Sequence, residues 1–151
     1  MSTQLDTTES VSHVVRDAIA RAAAVVALAG VALVHLLDAP GSFDAAPYKG
    51  WLYVALIVGC LGAAAALIRS SDLRAWAAAA ALPLSAIVAF VISRTVGLPQ
   101  GADDIGNWTE PLGLASLFVE ATLVGLSLMI LQERGVLVTS RLRELRALAP
   151  A

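Results

Sequence analysis

The sequence predicts an all-α membrane protein: a four-helix transmembrane bundle with both termini cytoplasmic. Three observations carry that expectation. The 151 residues are 58% apolar and only 15% charged, with a mean hydropathy of +0.79, whereas soluble domains have about 45–50% apolar and about 25% charged residues. The apolar residues are gathered into four long runs. The basic residues then fall almost entirely on one side of a four-span arrangement.

A helix crossing the hydrocarbon core needs about 20 predominantly apolar residues. Residues 18–37, 51–68, 75–96 and 112–131 meet that requirement. Between them lie "DAPGSFDAAPYKG", "RSSDLR" and "SRTVGLPQGADDIGNW", whose prolines and glycines mark the places where helices stop. With four spans, Arg16, Arg21, Arg69, Arg74, Arg134, Arg141, Arg143 and Arg146 share one side, and only Lys49 and Arg94 take the other. Basic residues favour the cytoplasmic side, so both ends of the chain are expected there. The opposite side is acidic, with Asp38, Asp44, Asp103, Asp104 and Glu110.

Three regions follow. Residues 1–15 form a polar tail, expected to be disordered because it has little apolar surface to offset its ordering entropy. Its "MSTQLDTTESVSH" carries no basic stretch and does not read as a cleavable signal peptide, so the first span should stay in place. Residues 16–132 make up the membrane domain. Residues 133–151 form a basic amphipathic segment, with Leu142, Leu145 and Leu148 along one side and Arg141, Arg143 and Arg146 positioned to meet anionic lipids. A helix from a membrane-protein partner could use the same surface.

Within the spans, "RAAAVVALAG", "GCLGAAAAL" and "AWAAAAALPLSA" are rich in small residues, which let helices approach closely in lipid. Pro83 falls mid-span and is expected to kink the third helix. Trp51, Tyr53, Trp76 and Trp108 stand at span ends, where an interfacial aromatic belt is expected.

The ionisable residues in or near the spans are the candidate site. Glu120 lies near the middle of the fourth span, where a charge costs about 2.5–3.5 kcal/mol, so it needs a proton, a partner or water. Ser116, Glu120 and Ser127 fall on one helical face, which should point into the bundle. Arg94, near the end of the third span, is the expected partner, since a guanidinium can grip a carboxylate through two hydrogen bonds. Such a pair could be structural or functional. His35 and Asp38 share a face of the first helix. They could complete an outward-opening polar cluster with Asp103, Asp104 or Glu110 above it. His35 also admits a plainer role as a satisfied histidine at the interface, and the two aspartates admit simple loop solvation.

Several chemistries are excluded. The spans hold one histidine, and the other, His13, lies in the polar tail on the opposite side, so a b-type haem with two histidine ligands within one chain is not expected. The single cysteine, Cys60, rules out a disulfide framework. No Cys–His nucleophile, phosphate cradle or dinucleotide fingerprint occurs. A net charge of −2 gives no basis for nucleic-acid binding. The sequence leaves any cofactor unknown: His35 could be a metal or haem ligand, and a divalent cation on one histidine and several carboxylates is a weak signal.

The stretches "HLLDAPGSFDAAPYKGWLY" and "SRTVGLPQGADDIGNWTEPLGLASLFVE", with their Ser-Arg-Thr-x-Gly-Leu-Pro run, resemble a group of small four-helix membrane proteins of actinobacteria and related bacteria. The resemblance covers about residues 31–126 and implies a bacterial inner-membrane protein, with no established activity to carry over. The position after Ala39-Pro40 is often acidic in that group. Here it is Gly41, a departure that weakens any ligand role for the first loop. The sequence therefore leads to a non-enzymatic integral membrane protein with an outward-facing polar site for a small ligand, a cation or a partner. Its alternatives are an accessory subunit of a larger membrane complex and a proton-coupled transporter subunit that uses Glu120.

Overall fold

The computed structural model describes the backbone of residues 2–147 and the side chains of residues 11–135. Four helices, α1 (Ser2–Ala45), α2 (Pro47–Arg69), α3 (Leu73–Thr95) and α4 (Pro111–Ala147), pack as a bundle. Stretches Val11–Ala45, Pro47–Arg69, Leu73–Thr95 and Pro111–Gly135 are each long and apolar enough to cross a membrane. At 1.5 Å per residue, the 23 residues of α2 or α3 reach about 35 Å, slightly more than a hydrocarbon core of about 30 Å.

Helix boundaries differ from the sequence expectation in two places. α1 does not stop at "DAPG" but runs through Pro40 to Ala45, so the expected first loop shrinks to a turn at Ala46. Proline removes one backbone donor from a helix, but it does not force an end. Ser42 and Tyr53 donate side-chain hydrogen bonds to Asp38 (3.4 and 3.0 Å), tying this last stretch to itself and to α2. The true stop is Pro47. It pushes the preceding Ala46 into extended backbone (φ −160°, ψ 116°) and then takes the first helical position of α2. Here the Phe43 ring packs so closely on α2 that a Cβ on Gly50 would overlap it. The second difference is at the N-terminus, where α1 begins at Ser2 and no break separates residues 2–15 from the first span. Extending an existing helix avoids the cost of a new nucleus. At the other end the α4 backbone continues to Ala147. The side chains of Arg141, Arg143, Arg146 and their leucine neighbours lie outside the described residues.

The remaining connections are a short Ser70–Ser71–Asp72 link, in which Asp72 caps α3 by accepting from the Arg74 amide (3.2 Å), and the long loop 96–110. That loop folds back on α3 through a Gly106 N–H to Arg94 carbonyl bond of 2.9 Å. Gly97, at φ +85°, supplies the left-handed residue that starts the reversal.

The two halves of the bundle differ. At the end holding the chain termini, Leu28, Val31, Cys60, Leu67, Trp76 and Leu123 fill a close-packed core. Ala24, Ala63, Ala75 and Ala79 separate them, the small contacts expected of helices packed in lipid. A polar clamp closes this end: Arg134 donates to Asp17 and Ser71, Ser71 donates to Asp17 at 2.7 Å, and Arg21 pairs with Asp17 at 3.1 Å. The clamp ties α1 and α4 to the α2–α3 link. Trp76 corrects the aromatic-belt expectation, being fully buried with its indole N–H on the Ser71 hydroxyl (3.1 Å). Trp51 and Trp108 are exposed. Pro83 is buried inside an unbroken α3. Large apolar side chains such as Val26, Leu37, Val58, Ile68 and Phe118 face outward, as a lipid solvent requires.

Candidate ligand-binding cavity

The other half of the bundle, beneath loop 96–110, is hollow. A cavity of about 610 Å³ opens there, lined by all four helices and the loop. Val34, Leu52, Leu56, Ala86 and Ala89 give it apolar walls. Of the residues singled out from sequence, His35, Asp38, Arg94, Asp104, Glu110 and Glu120 all line this one space. Asp103 is exposed and lies outside the lining.

The polar groups form two layers. The deeper one centres on Glu120, which is 1% exposed. Its Oε1 accepts from the Ser116 hydroxyl (2.8 Å) and lies 3.7 Å from His35 Nε2. The other ring nitrogen of His35 sits 2.9 Å from the Val31 carbonyl, one turn back on α1. The Tyr53 ring meets His35 edge-on at 4.8 Å, and its hydroxyl donates to Asp38. A continuous set of polar side chains thus runs from α4 across α1 to α2. The face of α4 read from sequence is present: Ser116, Glu120 and Ser127 are all buried, with Leu123 among them.

The upper layer is the mouth. Arg94 is only 8% exposed, and its Nη1 pairs with Asp104 Oδ1 at 2.7 Å. Its Nη2 is 3.6 Å from Glu110 Oε2, and its guanidinium lies 4.8 Å from the Phe90 ring centre. Lys49 Nζ meets the second Asp104 oxygen at 3.0 Å, so Asp104 bridges α2 and α3. Glu110 also caps α4, accepting from the amides of Leu112 (3.0 Å) and Gly113 (2.8 Å).

The expected Arg94–Glu120 pair is therefore not made. The reason is depth. Arg94 is in the last turn of α3, whereas Glu120 lies ten residues beyond Glu110, or about 15 Å down α4. The loop's fold-back brings Asp104 and Glu110 to the arginine first, and His35, at matching depth on α1, takes Glu120. Sequence reasoning also missed Lys49 and Tyr53 as lining residues. The available signal was their spacing: Lys49, Leu52, Tyr53 and Leu56 follow i, i+3, i+4, i+7, one face of α2.

Burial alone would raise the pKa of Asp104, but its hydrogen bonds and charge contacts with Lys49 and Arg94 outweigh that and hold it below the ordinary 3.8. A depressed carboxylate stabilises the fold fully above its unfolded pKa and loses that contribution as pH falls through the folded value. Asp104→Asn should therefore lower stability at neutral pH by about 1 kcal/mol at most, since the pair is partly solvated. The difference between variant and wild type should close only as pH drops below 3.8. Thermal unfolding in detergent from acid to neutral pH checks this; a gap that persists unchanged in acid would show that the bridge acts through packing alone.

Four membrane-length apolar helices packed as a bundle, close-packed at one end and hollow at the other, define a multi-pass membrane protein in contact with lipid. No family model matches the chain, and neither the curated proteins nor the solved structures contain a match. The four-helix membrane architecture implied by the resemblance is present, but the comparisons identify no family. Among the described residues, no three His, Cys, Asp or Glu side chains group as metal ligands.

Proposed function

We propose that this is a non-enzymatic membrane protein that binds a small organic molecule in an outward-facing cavity. The observation that carries this reading is the cavity itself. Its volume of about 610 Å³ falls within the roughly 300–1,000 Å³ of small-molecule sites, and apolar walls with a few converging polar groups are their usual lining. The basic residues at the clamped end support a cytoplasmic placement of the termini, which puts the mouth outside. A bacterial inner membrane is the setting that fits.

The test uses the neutral dye N-phenyl-1-naphthylamine, with the protein in lipid nanodiscs. Saturable fluorescence enhancement is expected, one dye per protein, and Ala89→Trp should reduce it at least tenfold by filling the space. Enhancement that is non-saturable, or untouched by Ala89→Trp in a variant that still melts like wild type, would sink the reading.

A further inference from the structure

The charge pattern around the cavity selects among small molecules. At the mouth, the two cations already have carboxylates: Asp104 bridges Lys49 and Arg94, and Glu110 stands beside Arg94. Among the described residues both cations of the mouth are thus charge-paired, and only the buried Nε of Arg94 lacks a hydrogen-bond partner there. Deeper in, the balance is acidic. Asp38 accepts from Ser42 and Tyr53, but among the described residues it has no ion-pair partner. Glu120 has His35 as its basic neighbour, and Ser116 and His35 both engage the same oxygen, Oε1. A buried carboxylate needs a proton or a partner, and the His35–Glu120 pair supplies both, so the unmatched negative charge of this space is that of Asp38.

We propose that the cavity takes a monovalent organic cation, an ammonium or similar charged centre on an apolar body, with the charge held near Asp38 and Glu120. This rests on the cavity being a binding site, and deepens that reading. Low dielectric strengthens such an attraction at Glu120, which is buried, more than at the exposed Asp38. The Arg94–Asp104–Lys49 bridge then acts as a rim that leaves the carboxylates below unmasked. The apolar walls suit a ligand body larger than a bare metal ion.

Tetraphenylphosphonium and tetraphenylborate share a shape and carry opposite charges, so they separate charge from size. Equilibrium dialysis against nanodiscs holding the full chain is the measurement, with Ala89→Trp nanodiscs subtracted for partition into lipid. Saturable binding of the phosphonium at one per protein is expected, with none of the borate. Asp38→Asn should weaken it about tenfold, and so should Glu120→Gln, which retains an acceptor for Ser116. Asp38 is exposed, so its variant stays informative if Glu120→Gln folds poorly. Saturable binding of the borate alone would overturn the proposal and give the site to anions. Binding of the neutral dye with neither ion would overturn the cation while the cavity reading stands. If no probe binds in a way Ala89→Trp removes, both fail. Phosphonium binding unchanged by either carboxylate variant would also overturn it.

Discussion

Trp76→Ala is expected to destabilise the bundle more than any other single truncation, by about 3 kcal/mol, the low end for a buried tryptophan. Trp76 is the largest fully buried side chain, packed in the close-packed half of the bundle. In lipid, separating helices does not move this side chain into water, so the loss comes mainly from packing and from the bond to Ser71. That bond reaches the clamp, because Ser71 also contacts Asp17 and Arg134. Loosening one side of it should weaken the tie between α1 and α4. Trp76→Phe should recover most of the packing but not the hydrogen bond, leaving a deficit of about 1 kcal/mol. Reversible unfolding in mixed micelles would read both variants. A fall below about 1 kcal/mol for Trp76→Ala would mean that the alanine-rich helices collapse readily into the space.

The second large effect is at the deep end of the cavity. Glu120→Leu is expected to lose about 1–3 kcal/mol, because the buried Ser116 hydroxyl loses its acceptor and the buried His35 loses the carboxylate 3.7 Å from its Nε2. The double variant with His35→Leu should recover part of this, since well-packed apolar residues can replace a buried polar pair at little cost. A coupling of about 0.5–3 kcal/mol between positions 35 and 120 is therefore expected. The contrast is with Arg94. Arg94→Gln and Glu120→Gln should be additive within about 0.5 kcal/mol, as for side chains with no shared partner. Strong coupling between 94 and 120, with none between 35 and 120, would reverse the pairing described above.

Much of this architecture was readable along the chain. Four apolar runs gave four spans, and the placement of arginines separated one end from the other before any helix was packed. The inward face of α4 followed from the spacing of Ser116, Glu120 and Ser127. Most of the cavity's charged lining was also named in advance, because ionisable residues in an apolar span stand out against their surroundings.

What the chain did not reveal were pairings and endings. "DAPG" reads as a stop signal, yet Pro47 rather than Pro40 ends α1, since contacts from Ser42 and Tyr53 hold the intervening stretch in place. Trp76 reads as an interfacial aromatic because it lies near a span end, yet the clamp beneath it makes that end part of the core.

The sequence by itself determined the number of spans, their apolar surfaces and the inward face of α4, because hydrophobic run length and helical period are properties of a single segment. Only the tertiary structure decided that His35 rather than Arg94 meets Glu120, that Asp104 bridges Lys49 and Arg94, and that the loop end is hollow. Each of these depends on how far one helix stands along another and on where a loop returns. Relative depth is set by packing across the whole bundle, and it leaves no mark on the residues of either helix alone.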